Sequence, residues 1–278
     1  MSDYKRILTI QDISCVGQCS LTVALPILSA CGVETGILPS AVLSTHTGGF
    51  SGYTFRDLTD DMPAIADHWE KEDLRFDAFY TGYLGSERQI AYVKNIFDRL
   101  GRGDALRIVD PAMADNGKLY YGFDESFAAS MAKLCGSADV ILPNITEACY
   151  LTGTPYRENA DEAFVDELLQ KLTVLGAKSI VMTGVAFEEG KTGVMVYENG
   201  EKWNYVHERI AKGCHGTGDV YASAFTGALM NGKTMREAAK IAADYVVDCI
   251  KLTNGDKDHW YGVKFELGIP KLLGYLGK

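Results

Sequence analysis

The sequence has no basic block and no long apolar run. Asp and Glu number 37 against 27 Lys and Arg, a formal charge of -10 with a pI near 5.0. So acidic a chain has little electrostatic attraction for nucleic acid or an anionic membrane, and neither is expected as a partner. No stretch approaches the about 20 apolar residues a spanning helix needs. The start, Met1-Ser2-Asp3-Tyr4-Lys5-Arg6, runs into a strand-like segment without the apolar core of a signal peptide. A cytoplasmic location is expected. The seven cysteines (15, 19, 31, 135, 149, 214, 249) include no Cys-x-x-Cys pair, and no histidine cluster accompanies Cys15 and Cys19. That pattern fits free thiols in a reducing compartment, not a structural zinc site. A G-x-x-x-x-G-K-[ST] segment is also missing, which argues against a P-loop kinase. No G-x-G-x-x-G follows the first strand, and the Gly213–Gly218 spacing does not match that fingerprint, which argues against a dinucleotide-binding fold. Without a linker, repeat or low-complexity break, one domain across residues 1–278 is expected.

What is present is ordinary globular material, 47% hydrophobic and 23% charged, enough for a sizeable core. Apolar β-rich runs alternate with amphipathic stretches. Strands are expected at 6–10, 33–38, 76–80, 106–109, 140–142 and 179–182. Helices are expected at 21–30 (with Pro26 as a kink or break), 62–70, from Ser86 to about Leu100, 126–134, 144–151, 161–175, 217–230 and 234–253. Val194–Tyr197 and Trp203–Val206 flank Glu198-Asn199-Gly200-Glu201, a tight-turn hairpin signal. The alternation predicts an α/β fold: a three-layer α/β/α arrangement with a mostly parallel sheet and an antiparallel edge hairpin.

In such sheets ligands bind beyond the C-terminal strand ends. That rule gathers Gln11, Asp12 and Ser14; Thr81 to Ser86; Asp110, Met113 and Asp115; Asn144 and Glu147; Thr183 and Gly184; and Gly213 to Asp219. Gly216-Thr217-Gly218-Asp219 is the sharpest segment. Two glycines let the backbone approach a ligand, and a helix start offers free N–H groups to phosphate oxygens. Asp219 is placed to accept a hydroxyl proton; alternatively, Thr217 or Asp219 simply caps the helix. Asn144 and Glu147 read either as a capping box or, for Glu147, as a group orienting water on Mg²⁺.

Together these segments resemble the ribokinase-like superfamily, and within it the pyridoxal kinase branch. Ile7-Leu8-Thr9-Ile10-Gln11, Gly82-Tyr83-Leu84-Gly85-Ser86, Val109-Asp110-Pro111, Pro143-Asn144-x-x-Glu147 and Gly216-x-Gly218-Asp219 stand in the family's order, from Ile7 to about Asn254. The sister hydroxymethylpyrimidine kinases carry a glycine-rich loop after the first strand. Here that place reads Gln11-Asp12-Ile13-Ser14-Cys15-Val16-Gly17.

The resemblance implies a homodimeric, ATP- and Mg²⁺-dependent kinase acting on the 5'-hydroxymethyl group of a vitamin B6 vitamer. Asp219 would be the base and the 216–218 amides the anion hole. Asp110, Asn144, Glu147 and Thr183 would serve the Mg·ATP side, with Asp110 and Glu147 toward the metal. Thr47 and Tyr83 would line the pyridine pocket. Asp12 stands where the family often has serine; it pairs with a protonated ring or amine, or turns away to cap the next helix, with Ser14 as a substitute hydroxyl. Cys214 would form an adduct with a pyridoxal aldehyde, its thiolate favoured by the helix start, or be incidental. The adenine walls would come from the apolar face of 234–253 and from 185–210. The alternatives are a hydroxymethylpyrimidine or sugar-like alcohol kinase, and a non-catalytic vitamer carrier or nucleotide-responsive regulator.

Overall fold

The computed structural model describes residues 4–210 and 214–278; the first three residues and Gly213, both used in the sequence reading, lie outside the described residues. In chain order the elements are β1 (Arg6–Ser14), α1 (Leu21–Ala30), β2 (Glu34–Leu43), β3 (Phe55–Asp57), α2 (Met62–Lys71), β4 (Phe76–Thr81), α3 (Glu87–Leu100) and β5 (Gly101–Val109). A small flap of β6 (Ala114–Asp115) and β7 (Lys118–Leu119) precedes α4 (Glu125–Cys135), β8 (Val140–Ile141), α5 (Ile145–Thr152), α6 (Glu162–Val174) and β9 (Ser179–Thr183). The hairpin β10 (Lys191–Glu198) and β11 (Glu201–Glu208) leads to α7 (Thr217–Met230), α8 (Met235–Thr253) and α9 (Phe265–Leu276).

The main sheet runs β11-β10-β9-β8-β5-β4-β1-β2-β3. Its six central strands are parallel; the hairpin adds antiparallel pairs at one edge and β3 adds one at the other. Asn199 and Gly200 turn the hairpin with φ 53° and 83°, the primed-turn geometry the Asn-Gly pair favours. Alternate residues of each strand feed opposite layers. Leu8, Ile10 and Phe79 pack with α2 to α6, whereas Ile7, Ala78 and Tyr80 pack with α1, α7, α8 and α9. Covered on both faces, the strands read as near-continuous apolar runs.

The helices form where periodicity and caps agree. In α3, Ile90, Val93, Ile96, Phe97 and Leu100 are all buried on one stripe, each contributing roughly 1.5–3 kcal/mol. Ser86 caps that helix by accepting from the Gln89 N–H. Several expectations needed correction. Helix α1 runs through Pro26 unbroken. Strand β1 continues to Ser14 and β2 to Leu43. On α8, Ala238, Ala239, Ala242 and Ala243 pack into the core.

Candidate active site

Strand β1 lies between β2, which follows it, and β4, from which the chain proceeds to the other side. In open α/β sheets such a switch point is where ligands bind, beyond the carboxyl ends of the strands. The register slips there: Gln11 pairs with Pro39 but Ile13 with Val42. Such bulges re-aim side chains. Asp12 and Ser14 are both buried, and Ser14 Oγ donates to Asp12 Oδ2 at 2.8 Å. Burial pushes the Asp12 carboxyl above its ordinary range, opposed by the hydroxyls of Ser20 and Ser14. The helix-capping alternative for Asp12 fails, because the N-cap of α1 is Ser20 and no side chain caps it.

Gly216 is the N-cap of α7, at φ 74° and ψ 2°, again with no side-chain cap. Thr217 Oγ1 instead donates to the Cys214 carbonyl at 3.3 Å. The capping alternative for Thr217 and Asp219 therefore fails as well, and the first amides of α7 face outward from a glycine start. Only glycine fits at 216: its φ is left-handed, and a Cβ would overlap the Gln18 carbonyl oxygen. Gly218 is exposed, with open space where a Cβ would stand.

Asp219 follows in the first turn. Protein crowds it on most sides, yet part of its surface stays accessible. Burial raises its carboxyl to about 7; the Ser20 N–H and the Cys19 thiol oppose the rise, and the nearby Asp12 charge adds to it. The Cys214 thiol is pushed up by burial, so the expected helix-favoured thiolate is not found.

Asp110 and Glu147 form the second acidic pair. Asp110 follows β5, and its N–H donates to the Thr81 carbonyl at 3.0 Å. Asn144 and Glu147 make a complete capping box on α5. Asn144 Oδ1 accepts the Glu147 N–H at 2.8 Å and Glu147 Oε2 accepts the Asn144 N–H at 2.9 Å. The second carboxylate oxygen, Oε1, accepts the Met113 N–H at 3.2 Å. Burial raises both carboxyls; Glu147 and then Asp219 raise Asp110 further. Asn144 also bridges to Thr183 at the end of β9, which places Thr183 beside this pair.

The remaining predicted residues are Tyr83 and Thr47. Tyr83 packs its ring 5.4 Å from Phe123, and its hydroxyl is pushed up to about 12 by burial and then by Asp12. Thr47 is exposed between two anchored neighbours. His46 Nδ1 accepts the Gly48 N–H at 3.0 Å, so Nε2 carries the proton that meets the Tyr261 carbonyl at 2.7 Å. A Cβ at Gly48 would lie 2.7 Å from the His215 ring, so the Thr47 loop abuts the segment leading into α7. A concavity of ≈ 810 Å³ on the α4–α5 flank, bounded by Lys133 and Tyr156, includes none of these carboxylates.

Sequence reasoning missed Cys19, Ser20 and Tyr120. The first two face Asp219, and Tyr120 lies beside Glu147, Asp115 and Asp110. Nothing in the sequence marks Ser20 beyond an ordinary helix-start signal.

Comparison with known proteins agrees with this fold. The model of the family described as phosphomethylpyrimidine kinase matches residues 62–262. A Bacillus subtilis hydroxymethylpyrimidine/phosphomethylpyrimidine kinase is 30% identical over 221 residues, 78% of each chain. A Bacteroides thetaiotaomicron protein assigned to the phosphomethylpyrimidine kinases, in a crystal form with pyridoxal, superposes with a TM-score of 0.92 at 38% identity, covering 97% of this chain and 96% of that one. Pyridoxal kinase from Lactobacillus plantarum gives 0.90 at 31% identity, covering 97% of both. The chain belongs to the phosphomethylpyrimidine kinase family, among the ribokinase-like kinases that also include the pyridoxal kinases.

Proposed function

We propose that this kinase transfers the γ-phosphoryl group of ATP to the 5'-hydroxymethyl group of a B6 vitamer, in salvage of the phosphorylated coenzyme. The observation that carries this reading is Asp219: a carboxyl raised to about 7, reachable from one side, in the first turn of a helix with an uncapped glycine start. Phosphoryl transfer needs positioned donors and a proton acceptor more than covalent chemistry. The amides of Gly216, Thr217 and Gly218 hold the oxygens of the transferring group. Asp219 takes the hydroxyl proton late, as the new phosphorus–oxygen bond develops, because a primary alcohol is a far weaker acid than any carboxyl.

Asn144 and Thr183, bridged to one another, would meet the nucleotide phosphates. Asp110 and Glu147 resist ionising side by side, which fits a nearby divalent cation. Both Glu147 oxygens already accept backbone N–H groups, so contact through water suits it better than direct ligation. Mg²⁺ bound there with the nucleotide would neutralise charge on the phosphate oxygens. Asp12, Ser14, Thr47 and Tyr83 would receive the ring.

The pyridoxal-containing crystal form of the Bacteroides relative and the absence of a glycine-rich loop after β1 support a vitamer over a pyrimidine. The family match and the Bacillus relative favour the second reading, a hydroxymethylpyrimidine acceptor. An ADP-release assay with pyridoxal, pyridoxamine, pyridoxine and hydroxymethylpyrimidine under identical conditions tests the choice. The highest kcat/KM is expected for a vitamer; preference for the pyrimidine contradicts it. Tight vitamer binding without ADP production would point to a carrier. The same reading carries a single-domain, homodimeric cytoplasmic enzyme, checked for assembly by light scattering.

A further inference from the structure

Thr47 lies exposed in residues 44–54, a stretch that forms neither helix nor strand. A loop of this kind must be ordered before it can hold a ligand, and the ordering weakens binding unless other contacts have already achieved it. Here those contacts come from residues 254–264, the link between α8 and α9.

Two side chains make them. The first is His46, which is buried. Its Nδ1 accepts the Gly48 N–H at 3.0 Å and its Nε2 donates to the Tyr261 carbonyl at 2.7 Å, so one ring fixes the residues on both sides of Thr47. The ring also rests on Gly17, where a Cβ would overlap it. The second is Trp260. The Phe50 ring stands 5.0 Å from His46 and 4.7 Å from Trp260, and a Cβ at Gly49 would lie 2.8 Å from the same indole. Trp260 is 49% exposed, so the indole covers the outside of the loop instead of filling the core.

The link is held on its own account. His259 Nδ1 donates to the Gly262 carbonyl at 3.0 Å, the Lys264 N–H donates to Thr253 Oγ1 at 2.8 Å, and Val263 and Phe265 are buried. Gly262 packs on the Gln18 side chain, and the Gln18 carbonyl seats on Gly216. Link, loop and the start of α7 therefore interlock.

We propose that His259–Gly262 is a strap that positions Thr47 for the acceptor, with His46 and Trp260 as the positioning residues. None of the contacts above involves Asn144 or Thr183, so the strap acts on the acceptor and not on the nucleotide. This role rests on Thr47 as an acceptor contact, and the test keeps the two apart.

Trp260→Ala, made in the full chain, should raise the KM for pyridoxal about 3–10-fold, with kcat and the KM for ATP changed less than about twofold. Trp260→Phe keeps a ring against Phe50 and should restore most of the loss. His46→Ala removes both hydrogen bonds and should raise the pyridoxal KM by about tenfold or more. In ligand-free protein, amide hydrogen exchange at residues 45–52 should quicken about tenfold in both alanine variants and stay near wild type in Trp260→Phe, with β4 unchanged in all three.

Unchanged exchange at 45–52, or exchange that quickens evenly along the chain, would overturn the strap. Faster exchange with an unchanged pyridoxal KM, or an ATP KM that rises in step, would remove its role toward the acceptor. Exchange needs no turnover. A wild-type chain that phosphorylates neither vitamer nor pyrimidine would contradict the functional reading, and exchange would still decide whether the link holds the loop.

Discussion

Replacing Asp219 by asparagine should make the protein more stable and nearly inactive, and the stability gain should depend on pH in a defined direction. The Asp219 carboxyl is raised from 3.8 to about 7. Between those values the folded state binds a proton that the unfolded chain releases, so this group's contribution falls as pH rises from about 4 to about 7. At about 1.4 kcal/mol per pH unit, the ceiling on the cost of the ionised form is about 4 kcal/mol. Asp219 is partly accessible, and solvent screening reduces that to about 2 kcal/mol. Asparagine carries no such cost and can still accept the Ser20 N–H. For a chain of this size the gain corresponds to a Tm roughly 4–8 °C higher at pH 8, shrinking toward zero near pH 4. ADP release should meanwhile fall by about 10²–10⁴-fold. Calorimetry of ligand-free protein across that pH range, with kinetics on the same samples, provides the assay. An equal Tm at pH 8, or a gain that grows as pH falls, would refute the electrostatic reasoning; a wild-type rate would remove Asp219 from the chemistry.

Three further substitutions probe other parts of the site. Gly216→Ala places a Cβ against the Gln18 carbonyl at a φ of 74° and should cost about 3 kcal/mol, a Tm roughly 6–12 °C lower by thermal melt; an unchanged Tm would mean that the 17–20 turn yields freely. Glu147→Gln keeps an oxygen for one of the two backbone donors but removes the charge, so kcat/KM should fall about 100-fold and more Mg²⁺ should be needed for half-maximal rate. A normal Mg²⁺ titration would exclude Glu147 from metal binding. Because the Asp12 charge helps to raise Asp219, Asp12→Asn should move the acidic limb of kcat to lower pH, whatever it does to KM; movement to higher pH would contradict the proximity of the two groups.

Elements whose local signals agreed were legible from sequence. Helix α3 has a Ser86 cap and a five-residue apolar stripe, α8 has its Thr234–Glu237 capping box, and Asn-Gly turns the β10–β11 hairpin. Strand β1 was cut short because Gln11, Asp12 and Ser14 look like a polar exit, although all three are buried in the crevice. Helix α9 was not expected because Gly268, Pro270 and Gly274 interrupt its pattern; Pro270 is nonetheless accommodated within the helix. In the site, Asn144 and Glu147 had two competing readings, and the completed capping box does not exclude the second. Under the proposed function, a cap that buries a carboxylate beside Asp110 would also ready it for a cation. Ser20 was beyond sequence reasoning altogether, since its distinguishing property is a backbone angle, φ 57°, and not a side chain. The glycine start of α7 could likewise be read from Gly216 and Gly218, while the backbone contacts around it could not.

The most direct test of the account is to incubate purified protein with Mg·ATP and pyridoxal and follow both products, ADP by coupled assay and the vitamer by mass spectrometry. The account predicts one pyridoxal 5'-phosphate formed for each ADP released, and loss of both in Asp219→Asn. ADP release without phosphorylated vitamer, or phosphorylation of hydroxymethylpyrimidine alone, would contradict it.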